Sequence, residues 1–183
     1  MIKYNKTLEL YFKILLVVLL LFGGYLSFVG GYGSDEDTLP MIGVFQAILS
    51  SGGLMQSRFT GYPVSEFGIG FLSHFFGSFA ANLVTFSLLI ISIFYIYRTF
   101  ETNDKKNKIL LFFILCLSNP VIFFDNLEPI DYAWALAPFS IGCYMFKNKR
   151  IELALLFFTI SIGARINYGL FITFFILFFN SEN

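Results

Sequence analysis

An all-α fold is what this sequence predicts: a polytopic transmembrane helix bundle with short interfacial helices in its first outer loop. Three observations predict it. Hydrophobic residues make up 57% of the 183 residues and charged residues 13%, with 26 Phe and 10 Tyr and a mean hydropathy of +0.75, far from the roughly half-apolar, quarter-charged make-up of soluble domains. The apolar residues fall into runs suited to crossing a bilayer, with short polar stretches between them. Lys and Arg gather in alternate polar stretches, as they do in cytoplasmic loops. The formal net charge of zero is uninformative in such a chain, because the placement of charges matters and their sum does not. Cys116 and Cys143 both lie inside apolar runs. They read as small buried hydrophobes, with no disulfide framework or metal cluster behind them.

The first element follows Lys3, Lys6 and Lys13, where an unbroken apolar run from Ile14 to Phe22 continues to Val29. A helix rises about 1.5 Å per residue and the hydrocarbon core is about 30 Å thick, so residues 10–29 suffice to cross it. A basic head and apolar middle also fit a signal peptide, but Ser27, Phe28 and Val29 leading into Gly30 make a poor cleavage site. The run is read as an uncleaved span with a cytoplasmic N-terminus.

An outer loop over residues 30–78 follows. It packs Asp35, Glu36, Asp37, Arg58 and Glu66 into a chain that otherwise avoids charge, which makes it the first place to look for chemistry. Behind Pro40, the residues Met41, Ile42, Val44, Phe45, Ile48 and Leu49 recur at helical spacing and are ended by Ser50, Ser51, Gly52 and Gly53. That pattern predicts a short amphipathic helix lying on the membrane surface. A similar piece follows Pro63, with Val64, Phe67, Phe71, Leu72 and Phe75 on one face.

A second span is expected over 79–97, returning to the cytoplasm at Arg98, Lys105, Lys106 and Lys108. A third, 109–124, is shortened by Asn119 and Pro120, which kink or end a helix. The turn after it is purely acidic in its charges: Asp125, Glu128 and Asp131. A fourth span, 132–146, carries Pro138 in its interior and returns to Lys147, Lys149 and Arg150. The remainder, 151–179, holds Arg165 at its middle, flanked by Gly163 and Gly169. An arginine at the centre of a span costs roughly 2.5 kcal/mol or more unless paired or wetted. Two short helices, 151–163 and 166–179, broken at Arg165 inside a polar cavity are therefore preferred to one long one. The whole chain, 1–183, forms one domain.

The charges test this layout. Every Lys and Arg except Arg58 and Arg165 falls on the proposed cytoplasmic side. On the outside are Asp35, Glu36, Asp37, Glu66, Asp125, Glu128 and Asp131. Two explanations stay open for them: a shared polar cavity, or solvated loop charges. No G-x-x-x-x-G-K-[ST], G-x-G-x-x-G, H-E-x-x-H or C-x-x-C occurs, and the inner loops are too short for a nucleotide-binding domain. Nucleic-acid binding is excluded because the basic residues are spread among loops as topology signals. His74, without a second histidine, reads as an interfacial polar residue, and Trp134 with the Tyr residues near span ends as aromatic belt anchors. The Phe excess is lipid-facing packing or the lining of a groove for a lipid tail.

The order of motifs carries a resemblance. Asp35-Glu36-Asp37 follows the first span; then come Ser57-Arg58-Phe59-Thr60-Gly61-Tyr62-Pro63-Val64-Ser65-Glu66, Asn119-Pro120, Asp131-Tyr132-Ala133-Trp134-Ala135-Leu136 and Ala164-Arg165-Ile166-Asn167-Tyr168. This order resembles the N-terminal half of GT-C type integral membrane glycosyltransferases, from the first span to about Phe179. In those enzymes an acidic pair opens the first outer loop and an R-x-x-G-x-P segment precedes the second span. Thr60 stands where relatives often carry Pro. Such enzymes continue through several more spans, so this chain is expected to be the N-terminal part of a longer enzyme, or an inactive fragment of one.

The resemblance implies transfer of a sugar from a polyprenyl-phosphate donor to a glycan, lipid or protein acceptor at the outer face of a bacterial or archaeal plasma membrane. Inverting transfer needs a base for the acceptor hydroxyl and a counter-charge for the departing phosphate. Asp35 or Asp37 is the expected base; alternatively the two hold a divalent cation. Arg58 and Arg165 are the expected phosphate ligands, since a guanidinium offers phosphate a planar charged fork. For Arg165 an ion pair with one of the outer acids is the competing explanation. Glu66 is expected to orient Arg58 or an acceptor hydroxyl, and Asp131 to help bind substrate. A transporter or flippase would also want a charged vestibule and broken helices, but its two halves should show an inverted repeat and these do not. A non-catalytic membrane protein is the remaining alternative, and an O-antigen polymerase would be larger still.

Overall fold

The computed structural model describes residues 6–33, 36, 38–53, 62–100 and 106–181. Among them the chain is all-helical, with no strand. The helices are α1 (Lys6–Val29), α2 (Thr38–Ser51), α3 (Pro63–Phe100), α4 (Lys106–Leu117), α5 (Pro120–Asp125), α6 (Asp131–Lys147), α7 (Ile151–Ala164) and α8 (Tyr168–Ser181).

Local sequence explains most of the boundaries. In the first turns of α1 the Glu9 carboxylate meets the Lys13 ammonium at 2.6 Å, an i,i+4 pair in the favourable orientation. The amphipathic helix expected in the outer loop is α2. Its residues Met41, Val44 and Phe45 are buried, and it closes on Gly52, whose φ of 68° suits a left-handed cap and whose N–H donates to the Ile48 carbonyl at 3.0 Å. Pro63 opens α3, where a missing N–H does no harm. The second surface piece and the second expected span are one element, interrupted at Gly77 (φ 76°, ψ −174°), a backbone conformation that essentially only glycine adopts. Asn119 ends the previous helix by capping the next. Its side-chain oxygen accepts from Val121 N–H at 3.0 Å and Ile122 N–H at 3.4 Å, with Pro120 as the first residue of α5.

Helix α6 forms the middle of the fold, since Ala133, Ala135, Ala137, Pro138, Ser140, Gly142 and Cys143 are all buried. Its small residues let neighbours approach. Phe158 of α7 covers Gly142, where an added Cβ would lie 2.6 Å from the ring. One cluster joins Phe86, Leu89 and Ile93 of α3 to Leu117, Phe123, Leu127 and Ala133. A second joins Cys143, Ala154, Phe158, Ile172 and Phe175 across α6, α7 and α8. Helix α1 lies antiparallel to α3: Phe86 closes on Gly23, and the Asn82 amide donates to the carbonyls of Ser27 (3.3 Å) and Gly31 (2.6 Å).

The outer surface is apolar. Leu21 (69% exposed), Phe28 (68%), Leu170 (68%) and Phe174 (69%) stand out from α1 and α8, a distribution that water would penalise. Among the described residues, two helices are long and apolar enough, by length and composition, to cross a membrane: Glu9–Val29 within α1, 21 residues or about 31 Å, and Pro63–Phe100. Opposite ends of the fold differ in charge. At one end the Lys147 ammonium donates to the Thr99 carbonyl and Phe100 meets Phe179, with Arg98, Lys108, Lys149 and Arg150 exposed nearby. Glu128, Asp131, Gly31 and Gly33 lie at the other end.

Candidate functional site

The acidic end holds the candidate site, built where α6 begins and where α7 breaks into α8. Helix α6 starts behind Pro129 and the extended Ile130 (φ −109°, ψ 156°), which has no side-chain cap. Asp131 is therefore its first residue, an acid at the positive end of the helix dipole, and it is 1% exposed. Helix α7 ends at Ala164 because Arg165 turns to an extended conformation (φ −161°, ψ 114°). The Arg165 N–H still donates to the Ser161 carbonyl at 2.9 Å, and its own carbonyl accepts from Tyr168 N–H at 3.1 Å. Both ends of the break are thus satisfied by local hydrogen bonds.

This bend aims the Arg165 side chain back at α6. Its Nη1 lies 3.2 Å from Asp131 Oδ1, with the two side chains 19% and 1% exposed. Its guanidinium carbon sits 4.0 Å above the centre of the Tyr132 ring, within cation–π range. Tyr132 itself is 46% exposed, so the pair stands at the mouth of the site. Tyr168 lies close enough to feel both charges.

The start of α3 closes the other side. The single Ser65 hydroxyl proton is shared between the carbonyls of Ala164 (3.0 Å) and Tyr62 (3.2 Å), which pins α3 to the break. Val64 approaches Gly163 so closely that a Cβ there would lie 2.9 Å from it. Glu66 sits beside Ser65 and is 3% exposed.

The loop after α1 converges on the same end. Tyr32 donates its hydroxyl to the Ser73 carbonyl at 3.3 Å. Gly33 (φ 75°) lies against the Glu128 carboxyl, where a Cβ would come within 2.1 Å of the carboxyl carbon. The chain thus leaves Gly33 beside the segment that leads into Asp131.

The expected site residues divide as follows. Asp131 and Arg165 form an ion pair, which is the competing explanation the sequence offered for Arg165, and Glu66 is buried beside Ser65. Asp35, Asp37 and Arg58 lie outside the described residues. Among the described residues, no group of three or more His, Cys, Asp or Glu side chains is placed to hold a metal ion. His74 is exposed, with its ring edge-on to Phe75 at 4.9 Å. Trp134 corrects the expectation of a belt anchor. It packs inward, its indole N–H donating to Thr85 Oγ1 at 3.0 Å and its ring filling the space over Gly68. Ser65 and Tyr132 were not singled out from the sequence. Both lie inside the quoted motif segments, next to Glu66 and Asp131, but a lone serine or tyrosine has no spacing pattern that marks it.

Compared with known protein families, characterised proteins and solved structures, the chain matches none.

Proposed function

We propose that this chain is a polytopic membrane bundle that moves a sugar from a polyprenyl-phosphate donor to an acceptor at the outer face of the plasma membrane, its N-terminus lying in the cytoplasm. The observation that carries this reading is the Arg165–Asp131 pair at the mouth of a helix break. A guanidinium fixed at one edge by a carboxylate and on one face by Tyr132 keeps further N–H donors for a phosphate. Asp131 then acts as the group that holds Arg165 rather than as a direct substrate ligand. The apolar outer surface of α1 and α8 and the separation of basic and acidic ends agree with a bilayer around the bundle.

The reaction balances with these groups. The acceptor hydroxyl oxygen attacks the anomeric carbon, its proton passes to Asp35 or Asp37, the bond from that carbon to the phosphate oxygen breaks, and Arg165 offsets the charge left on the lipid phosphate. The test is transfer of radiolabel from a panel of polyprenyl-phosphate hexoses and pentoses in membranes carrying the wild-type protein, Asp35→Ala, Asp37→Ala or Arg165→Gln. The expected result is a loss of about 10²-fold or more in at least one Asp variant with protein levels retained, and in Arg165→Gln once transfer is normalised to the folded protein recovered. Wild-type membranes that transfer no label from any donor would remove the enzymatic reading, and release of the protein by alkaline carbonate would remove the membrane reading.

A further inference from the structure

At the basic end, the turn between α6 and α7 encloses a cavity of about 220 Å³ lined by Tyr144, Met145, Asn148 and Arg150. We propose that this cavity binds the phosphate of an anionic lipid headgroup, in the leaflet opposite the candidate transfer site. The turn has satisfied its own polar groups. The carbonyl of Tyr144 accepts from the Asn148 N–H (3.1 Å) and side-chain amide (2.7 Å), that of Phe146 from Lys149 N–H (2.9 Å) and that of Met145 from Arg150 N–H (2.9 Å). The cation left uncommitted among the cavity's own residues is the Arg150 guanidinium, which has no ion pair among the described residues. Lys147, by contrast, is engaged with the Thr99 carbonyl. Glu152 is the nearest acid in sequence and does not line the cavity.

The chemistry of the lining selects the ligand. A guanidinium and a phenol, with the second N–H of the Asn148 amide, suit phosphate oxygens, and the Met145 thioether suits the glycerol carbons beside them. From the rim, Ile151 (46% exposed) and Leu155 (57%) continue along one face of α7 at i,i+4 spacing, offering an acyl chain an apolar track. A basic pocket next to a lipid-facing apolar stripe is the arrangement by which membrane proteins hold anionic lipids.

The inference rests on the membrane part of the proposed function and not on sugar transfer, so its test omits transfer. Purified protein is equilibrated with equal amounts of dioleoyl phosphatidylglycerol and dioleoyl phosphatidylcholine, and the lipid that stays bound is counted by native mass spectrometry. Wild type is expected to retain phosphatidylglycerol about fivefold over phosphatidylcholine. Arg150→Gln should bring that ratio close to one, while Arg150→Lys keeps part of it. Lys108→Gln, which removes a basic-end charge outside the cavity, should leave it unchanged. Circular dichroism of each variant verifies folding. An unchanged ratio in Arg150→Gln would overturn the assignment, as would displacement of the lipid by millimolar inorganic phosphate, which would mark a site for the free ion. Neither outcome touches the transferase reading, and a chain without transfer activity leaves this result intact.

Discussion

The pairing of Arg165 with Asp131 is the residue-level feature on which the site depends. With side chains 19% and 1% exposed, neither charge is fully hydrated, so removing one partner strands the other. Asp131→Ala should lower stability by about 3 kcal/mol, measured by thermal unfolding in detergent. Arg165→Ala should do the same, and the double variant should recover part of the loss, giving a coupling energy above about 1 kcal/mol. A coupling near zero would mean that water already screens the pair and that Asp131 does not hold the arginine. Trp134 offers a second test at this scale. Its ring lies where a Gly68 side chain would go, 2.3 Å from the position of an added Cβ, so Gly68→Ala should cost about 2 kcal/mol by overpacking. Trp134 is the single tryptophan in the chain, and its emission should shift in that variant as the indole loses its bond to Thr85.

At the scale of the element, sequence patterns that depend on neighbours along the chain were legible and those that depend on tertiary partners were not. The apolar run of α1, the helical spacing of Met41, Val44 and Phe45, the stop at Asn119 and Pro120 and the break at Arg165 all rest on local chemistry, and each has its counterpart in the helices. Proximity of Arg165 to an outer acid followed from the energetic demand of a central charge. Which acid it would be did not, because that depends on how α7 lies against α6. The inward turn of Trp134 and the burial of Glu66 also depend on packing and leave no mark in periodicity. Gly77 is the instructive case. The expected boundary between surface helix and span exists, but as a kink inside α3 made by one residue at φ 76° and ψ −174°. A Cβ at Gly77 would meet nothing within 4 Å, so Gly77→Ala should be unfavourable through backbone strain alone, by about 1–3 kcal/mol. Gly43→Ala in α2 meets equally open space without the positive φ, and should be neutral or stabilising by up to about 1 kcal/mol. Thermal unfolding of the two variants separates the causes: equal effects would show that Gly77 is not strained.

For the whole molecule, the decisive property is that its two ends differ in charge while its flanks are apolar. Lys147 bonded to Thr99 and Phe100 against Phe179 gather the ends of α3, α6 and α8. Asn82 with Gly31, Gly33 with Glu128 and Arg165 with Asp131 gather the opposite ends. On the proposed membrane reading, the end that faces the cytoplasm is the one whose short loops are rich in Lys and Arg. Ser118, exposed where α4 passes into α5, and Lys149, exposed between α6 and α7, then lie on opposite sides of the membrane. Ser118→Cys in intact cells should react with a membrane-impermeant maleimide, while Lys149→Cys should react only after permeabilisation. Cys116 and Cys143, half-buried and buried within helices, should stay unlabelled and need not be removed. Labelling of both engineered cysteines from the same side would mean that α4 and α6 do not cross together. The acids would then share a side with the lysines, and an outward-facing site at Arg165 would have no physical basis.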